Sequence, residues 1–150
     1  MKVVLYYAAV NSVGTSSNIV NRLKEKLNFY VEYRNVVESV DEAEFANYDL
    51  IIFLIATYGD QELQENIENF LISIKHDFTG KKFAICELGN YYGYDDFTFG
   101  SGFIVENYLL EKNGSQLLPL ASIDTLPLLD WKAVDKWICS LNSSLKVETP

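Results

Sequence analysis

Positive charge is scarce in this chain relative to negative. Lysine and arginine number 12 against 21 aspartates and glutamates, a formal net charge of −9. A surface of that sign repels nucleic acid and anionic membrane, so neither is expected as a partner; it steers instead toward a protein with a basic patch. Cysteine is nearly absent as well. Cys86 and Cys139 are the 2 present, both in apolar segments without CxxC spacing, and are expected as buried thiols in a reducing cytoplasm. No apolar run approaches the roughly 20 residues of a membrane helix. The opening "MKVVLYYAAV" carries tyrosines in a short apolar run, and no cleavage-site pattern follows, so it reads as part of the fold. No repeat, low-complexity tract or linker marks a boundary. The chain is therefore expected to be one domain, residues 1–150, large enough for a core flanked by two layers. What it does have is apolar mass, 49% hydrophobic and 14% aromatic residues, which excludes disorder.

Two periodicities alternate along that mass. Lys2 to Val10 is β-branched and aromatic, bounded by a turn-rich loop, and predicts a strand. From Thr15, apolar positions Ile19, Leu23 and Leu27 recur every four residues and mark a helix face. Phe29 to Val37 alternates as a half-buried strand. "YDLIIFLIATY" (48–58) is continuously apolar, as a strand covered on both faces must be. Ile67, Phe70, Leu71 and Ile74 give a second helix stripe, and "KKFAICEL" (81–88) another covered strand. Ile104, Val105, Tyr108 and Leu109 predict a third helix, closed by "KNG" (112–114) with Gly114 as a left-handed cap. "SQLLPLASI" (115–123) reads as an edge strand, because Pro119 would cost a central strand a ladder bond. Asp130 then caps a last helix with Trp131, Val134, Ile138 and Leu141 inward. Five strands alternating with four helices predict an α/β fold, an open parallel sheet with helices on both faces. Ligands of such sheets sit outside the carboxyl ends of the strands, where strand order reverses. Three loops therefore matter: residues 8–17, 56–66 and 89–101.

The first, "NSVGTSS" (11–17), crowds hydroxyls at the mouth of a helix without any lysine or arginine. Unpaired N–H groups and partial positive charge at a helix N-terminus hold phosphate with no cation. Asn11, Ser12, Thr15, Ser16 and Ser17 add donors there, Gly14 lets the backbone come close, and Arg22 is the nearest basic residue. The lysine of a Walker loop and the glycines of a dinucleotide fingerprint are missing. The second loop, "ATYGDQELQENIENF" (56–70), offers an aromatic face and a flexible peptide followed by acids. The third, "GNYYGYDDFTFGSG" (89–102), holds more aromatics with glycines. Converging on one sheet edge, they describe a slot for a planar ring between aromatics, its phosphate on the first helix.

These residues resemble the flavodoxin family, over nearly the full chain. "TYGDQEL" is the most specific match, where flavodoxins carry an aromatic, glycine and aspartate with a leucine before the helix. "GKKFAICELGN" (80–90) matches the family's glycine-lysine-lysine strand and the pair that follows it. "GNYYGYDDF" aligns Tyr94 with the family's flavin-stacking tyrosine, with Tyr91 and Tyr92 as competing choices. No long insertion interrupts the last strand, so the chain resembles the short-chain type. The resemblance implies a three-layer sandwich with a five-stranded parallel sheet in order 2-1-3-4-5, and a one-electron carrier using non-covalent FMN. Its cofactor-binding residues would be Asn11, Ser12, Val13, Gly14, Thr15 and Ser16 at the phosphate, Ala56, Thr57, Tyr58 and Gly59 in the second loop, and Gly89, Asn90, Tyr94 and Asp96 in the third. Tyr58 and Tyr94 would cover the ring's two faces. Gly59 would turn its carbonyl toward N5, and Asp60, Glu62, Glu65, Asp95 and Asp96 would make added negative charge costly. No metal and no catalytic residue is implied.

The chain departs from the family pattern at Val13 for a threonine, Ala56 for a serine and Asn90 for an aspartate. The implied partners are an NAD(P)H-dependent flavodoxin reductase or another low-potential donor, and acceptor redox enzymes with basic docking patches. A cytoplasmic monomer is expected. The alternatives on this fold are a small FMN reductase, which would want a substrate pocket over the ring, and an activator of ribonucleotide reductase. A phosphoryl receiver is excluded: Tyr7-Ala8-Ala9 lacks its acidic pair, and Ser122-Ile123 its lysine.

Overall fold

The apolar runs form the strands they predict, and the sheet they build positions everything else. The computed structural model describes residues 1–9, 14–38, 42–58, 62–63, 65–74, 77–89, 102–125 and 128–146. Strand β1 (Val3–Tyr7) leads to helix α1 (Thr15–Lys26) and strand β2 (Glu32–Asn35); a 3-10 turn (Glu42–Asn47) precedes β3 (Leu50–Tyr58). A two-residue β4 (Glu62–Leu63) follows, then α2 (Glu65–Ser73), β5 (Lys82–Gly89), α3 (Gly102–Glu111), β6 (Ser115–Gln116), β7 (Ala121–Asp124) and α4 (Trp131–Lys146).

The sheet order is β2-β1-β3-β5, with β6 and β7 both against the far side of β5. All these pairings are parallel. Counting β6 and β7 as one interrupted strand gives the order 2-1-3-4-5. The interruption spans Leu117–Leu120 and contains Pro119, which has no N–H to give a ladder. The single strand expected over 115–123 is thus two. The other addition is β4, which pairs antiparallel with the end of β3, Thr57 opposite Leu63 and Tyr58 opposite Glu62.

Alternation along the strands sends side chains to two cores. Val4, Tyr6, Ile51, Phe53, Phe83 and Ile85 face one, with Phe45, Phe70 and Leu109 beneath them; Val3, Leu5, Ile52, Leu54, Ala84 and Cys86 face the other, under Ile19, Leu23, Val134 and Ile138. In the first, the Tyr6 ring stacks on Phe45 at 5.2 Å between centroids and lies 4.5 Å from Phe70. Each such pair adds roughly 0.5–1.5 kcal/mol beyond its buried area.

Four further expectations need correction. Strand β2 spans only Glu32–Asn35, not 29–37, because the chain turns at Val36 and Val37. The left-handed residue closing α3 is Asn113, φ 72°. Asn113 N–H donates to Leu110 O at 3.0 Å and Gly114 N–H to Leu109 O at 2.9 Å, the paired bonds of a Schellman cap. Gly114 serves packing instead, since a Cβ there would lie 3.1 Å from both Leu109 O and the Phe83 ring. Trp131 is 37% exposed and Trp137 is the inward indole at 4%. Cys86 is buried but Cys139 is exposed; burial beside Glu87 pushes the Cys86 thiol up, away from thiolate.

Candidate functional site

Parallel strands deliver their carboxyl ends, and the N-termini of the helices that follow, to one edge. Tyr7, Leu54, Cys86 and Ala121 lie level across the sheet, and β3 continues beyond that level to Tyr58, β5 to Gly89 and β7 to Asp124. The chain runs from β1 outward to β2 and then back across to β3 on the other side of β1. The crevice between β1 and β3 is where such sheets bind ligands.

At its mouth stands α1. Gly14 is the N-cap, with extended backbone and no side-chain hydrogen bond to the first turn, and that turn contains no acid. Among the described residues, a Cβ at Gly14 would meet nothing within 4 Å. Thr15 is exposed and Ser16 half-buried. A first helical turn carries N–H groups with no partner inside the helix.

The other three helices are different. In α2, Glu65 and Glu68 occupy the first turn. In α4, the Asp130 carboxylate accepts from Ala133 N–H at 3.1 Å, the predicted cap. In α3, Gly102 N–H donates to the Glu87 carboxylate at 2.7 Å. Of the four N-termini, only that of α1 has no carboxylate among the described residues.

Arg22 does not serve this edge. Its Nε and Nη2 reach both oxygens of Asp135 at 2.9 and 2.7 Å, and its guanidinium lies 4.9 Å from the Trp131 ring centroid. That pairing holds the Asp135 carboxyl below its ordinary value. The second arginine, Arg34, is tied to Glu32 and Glu44. Glu44 also accepts from Tyr6 at 3.1 Å, and burial pushes the Tyr6 phenol up. Tyr48 donates to Glu32 and is pushed up to about 12, chiefly by burial.

Of the predicted site residues, Gly14, Thr15, Ser16, Ala56 and Gly89 have described surroundings and all lie at this edge. Thr57 and Tyr58 are placed by their backbone as the last residues of β3. Gly59 falls in the three-residue link to β4. Asn11, Ser12, Val13, Gly59, Asn90, Tyr94 and Asp96 lie outside the described residues, as do Asp60, Tyr91, Tyr92 and Asp95. Gly89 contributes no free carbonyl, since its oxygen accepts from Thr125 N–H at 2.9 Å.

Asn35 was not foreseen. Its amide oxygen accepts from Ala9 N–H at 3.0 Å and its amide nitrogen donates to Ala9 O at 2.7 Å. This side chain imitates one more rung of the β1–β2 ladder, and fixes the first loop where it leaves the sheet. An asparagine ending a strand was the only local sign, and turn residues are common there.

Comparisons with known proteins agree with this geometry. The flavodoxin family model matches residues 11–137, while no curated protein matches the chain. Solved structures resemble it over nearly its full length. Oxidised flavodoxin 1 of Bacillus cereus superposes at a TM-score of 0.76 with 18% identity, covering 100% of both chains. A Fusobacterium nucleatum flavodoxin bound to flavin mononucleotide gives 0.75 and 21%, covering 99% of each. Flavodoxin 2 of Bacillus cereus gives 0.72 and 25%, covering 97% of this chain and 96% of the other. Flavodoxins are themselves an example behind the rule that places a ligand at the strand-order reversal. With its sheet order and the match over residues 11–137, this chain belongs to the flavodoxin family.

Proposed function

We propose that this chain is a non-covalent FMN-binding one-electron carrier. The observation that carries the reading is the α1 N-terminus: its N-cap is a glycine with no side chain to offer, its first turn holds no acid, and it stands at the strand-order reversal. The residues present fit a phosphate monoester. Helix-end N–H groups and the Thr15 and Ser16 hydroxyls supply donors, and the dipole offsets negative charge without a cation. Asn11, Ser12 and Val13 belong to the same loop and would complete it, with Asn35 fixing its stem.

FMN, when bound, accepts and returns electrons one at a time; the protein supplies position and electrostatics. Ala56, Thr57 and Tyr58 end the strand beside the crevice, and with Gly59 would line one side of the ring. Gly89, Asn90, Tyr94 and Asp96 belong to the other connection and would line the opposite side. The glycine at 59 would let its peptide turn to either orientation at little cost, presenting a carbonyl as acceptor for a ring proton. The acids near the edge, Glu65 exposed at the start of α2 among them, would oppose accumulation of negative charge.

The reading extends to partners. The net charge of −9 favours donors and acceptors with basic docking faces, such as an NAD(P)H-dependent reductase and low-potential acceptor enzymes. A carrier of this kind acts as a monomer and has no substrate reaction of its own. A cytoplasmic site of action fits; among the described residues no helix is long and apolar enough to cross a membrane.

One preparation tests this. Purified protein reconstituted with excess FMN should show a flavin spectrum, and heat should release FMN. Release of FAD, or no retained flavin, would overturn the reading. Rapid NAD(P)H oxidation by the pure holoprotein, without a reductase, would replace the carrier with an enzyme.

A further inference from the structure

Glu87 lies in β5, two residues before Gly89, and is 0% exposed. It is the buried charged residue of the described core. The described arginines pair elsewhere, Arg22 with Asp135 and Arg34 with Glu32 and Glu44. Two other groups satisfy it. Oε2 accepts from the backbone N–H of Gly102, the first residue of α3, at 2.7 Å, and Oε1 accepts from Ser122 Oγ in β7 at 2.6 Å.

Its neighbours on that face of β5, Phe83 and Ile85, are apolar and fully buried. A hydrophobic side chain would continue their pattern, and a buried carboxylate without a cation is a costly replacement. The cost has a structural return: one side chain ties three elements together at the sheet's carboxyl edge. The fit is mutual. A Cβ on Gly102 would lie 2.7 Å from Glu87 Oε2 and 2.6 Å from Leu120 Cδ1, so only glycine lets α3 begin against this carboxylate. What the tie determines is the separation of residues 89 and 102, the two fixed ends of the connection in between. Gly89 is held from the other side, through Thr125.

We propose that Glu87 is a positioning residue of the cofactor site. Its carboxylate pins the start of α3 and the middle of β7 to β5, and so sets the frame from which the 90–101 connection meets bound FMN. The inference rests on the FMN-carrier reading. It is separate from the phosphate site, because Glu87 blocks a helix end where α1 leaves one open.

The test compares FMN dissociation constants of wild type, Glu87→Ala and Glu87→Gln by flavin-fluorescence quenching, under conditions where each apoprotein is folded by circular dichroism. The glutamine amide can accept from Gly102 N–H and donate to Ser122 Oγ, retaining the tie without the charge. Glu87→Ala should bind FMN roughly tenfold more weakly, the scale of one buried hydrogen bond lost. Glu87→Gln should stay within about threefold of wild type and restore the visible spectrum of the bound flavin, as expected if geometry matters and charge does not. In the apoprotein, the Gly102 amide should exchange with solvent faster in Glu87→Ala than in wild type or Glu87→Gln.

Wild-type affinity in Glu87→Ala would overturn the proposal, as would equal weakening in Ala and Gln. If Glu87→Ala does not fold, Gly102→Ala carries the same expectation, because its methyl displaces Oε2 while leaving the carboxylate in place. Failure of the wild type itself to bind FMN would sink the carrier reading and this inference together. Binding by wild type with no change in the variants sinks this inference alone.

Discussion

Helices α1 and α3 begin at the same edge of the sheet, yet their first turns are finished in opposite ways. At α3, a buried carboxylate from the adjacent strand takes the first N–H at 2.7 Å. At α1, the N-cap is an extended glycine with no side chain to offer, and among the described residues nothing lies within 4 Å of where one would start. A glycine N-cap gives up only a few tenths of a kcal/mol relative to a capping aspartate. Among the described residues α1 is the helix that starts without an acid, and the proposed phosphate site rests on that difference. Under the proposed reading the pair puts one dipole to two uses, internal at α3 for fixing a frame and external at α1 for holding a ligand.

The sharpest way to break this contrast is to give α1 what α4 already has. Gly14→Asp would place a carboxylate at the N-cap, and the extended backbone there accommodates any residue. The apoprotein should gain a few tenths of a kcal/mol from the cap. FMN should bind roughly a hundredfold more weakly, because two like charges about 5 Å apart repel by roughly 3 kcal/mol at an effective dielectric near 20. Gly14→Ala should leave apoprotein stability nearly unchanged, having nothing to collide with. If Gly14→Asp binds FMN as wild type does, the phosphate is not on α1.

The converse experiment loosens the internal cap. Ser122→Ala removes the hydroxyl that donates to Glu87 Oε1 and leaves a buried acceptor without its partner. Urea unfolding of the apoprotein should then show a loss of roughly 1–3 kcal/mol. A loss below about 0.5 kcal/mol, less than an ordinary hydrogen bond contributes, would mean the carboxylate finds another donor and the tie to β7 is weak.

Helix α3 offers an internal control at its opposite end. Asn113 holds the left-handed conformation, which asparagine tolerates better than most residues. Asn113→Ala should cost roughly 1 kcal/mol of stability, and Asn113→Gly little or nothing. Neither should alter FMN affinity, since the change lies at the far end from the edge. Weakened binding in Asn113→Ala would show that affinity follows the general stability of α3, and the contrast between its two ends would dissolve.

Much of this arrangement was legible because it is written locally. Period-two and period-four patterns located the strands and helices, and the hydroxyl-rich loop pointed at α1 before any geometry was known. The misreadings share one physical origin, namely alternatives that are locally equivalent. Trp131 and Trp137 both fit the inward stripe of α4, but Asp130 as N-cap sets Trp131 at the first position, beyond the sheet. Asn113 and Gly114 can both take positive φ, and the crowding of Gly114 against Phe83 decides between them. Asn35 and Glu87 were missed because each acts on a residue far away in sequence, Asn35 on Ala9 beyond the β1–β2 ladder and Glu87 on Gly102 at the start of α3, which no local pattern encodes. The split between β6 and β7 was half visible, since Pro119 announced a broken ladder without saying that the strand resumes.

Arg22 sharpens the comparison last and by the smallest margin. It was the nearest cation to the phosphate loop in sequence, but its Nε and Nη2 are held by Asp135, so the proposed phosphate site does not call on it. Arg22→Ala should therefore leave FMN affinity unchanged within experimental error, and a clear loss would restore Arg22 as a phosphate ligand. The pair should instead show itself in stability against pH. The Asp135 pKa is lowered in the fold, first by its hydrogen bond with Arg22. A carboxyl whose folded pKa is depressed contributes stability above its unfolded value, about 3.9, and loses it as pH falls through the lower folded value. Both side chains are about one-third exposed, so solvent screens the pair and the contribution is small. Asp135→Asn should lower stability slightly at neutral pH, and the difference from wild type should close as pH is taken below about 4. High salt should shrink it at every pH. A difference that persists undiminished in acid would mean that the two helices are joined there by packing, with Trp131 under the guanidinium, and not by the charge.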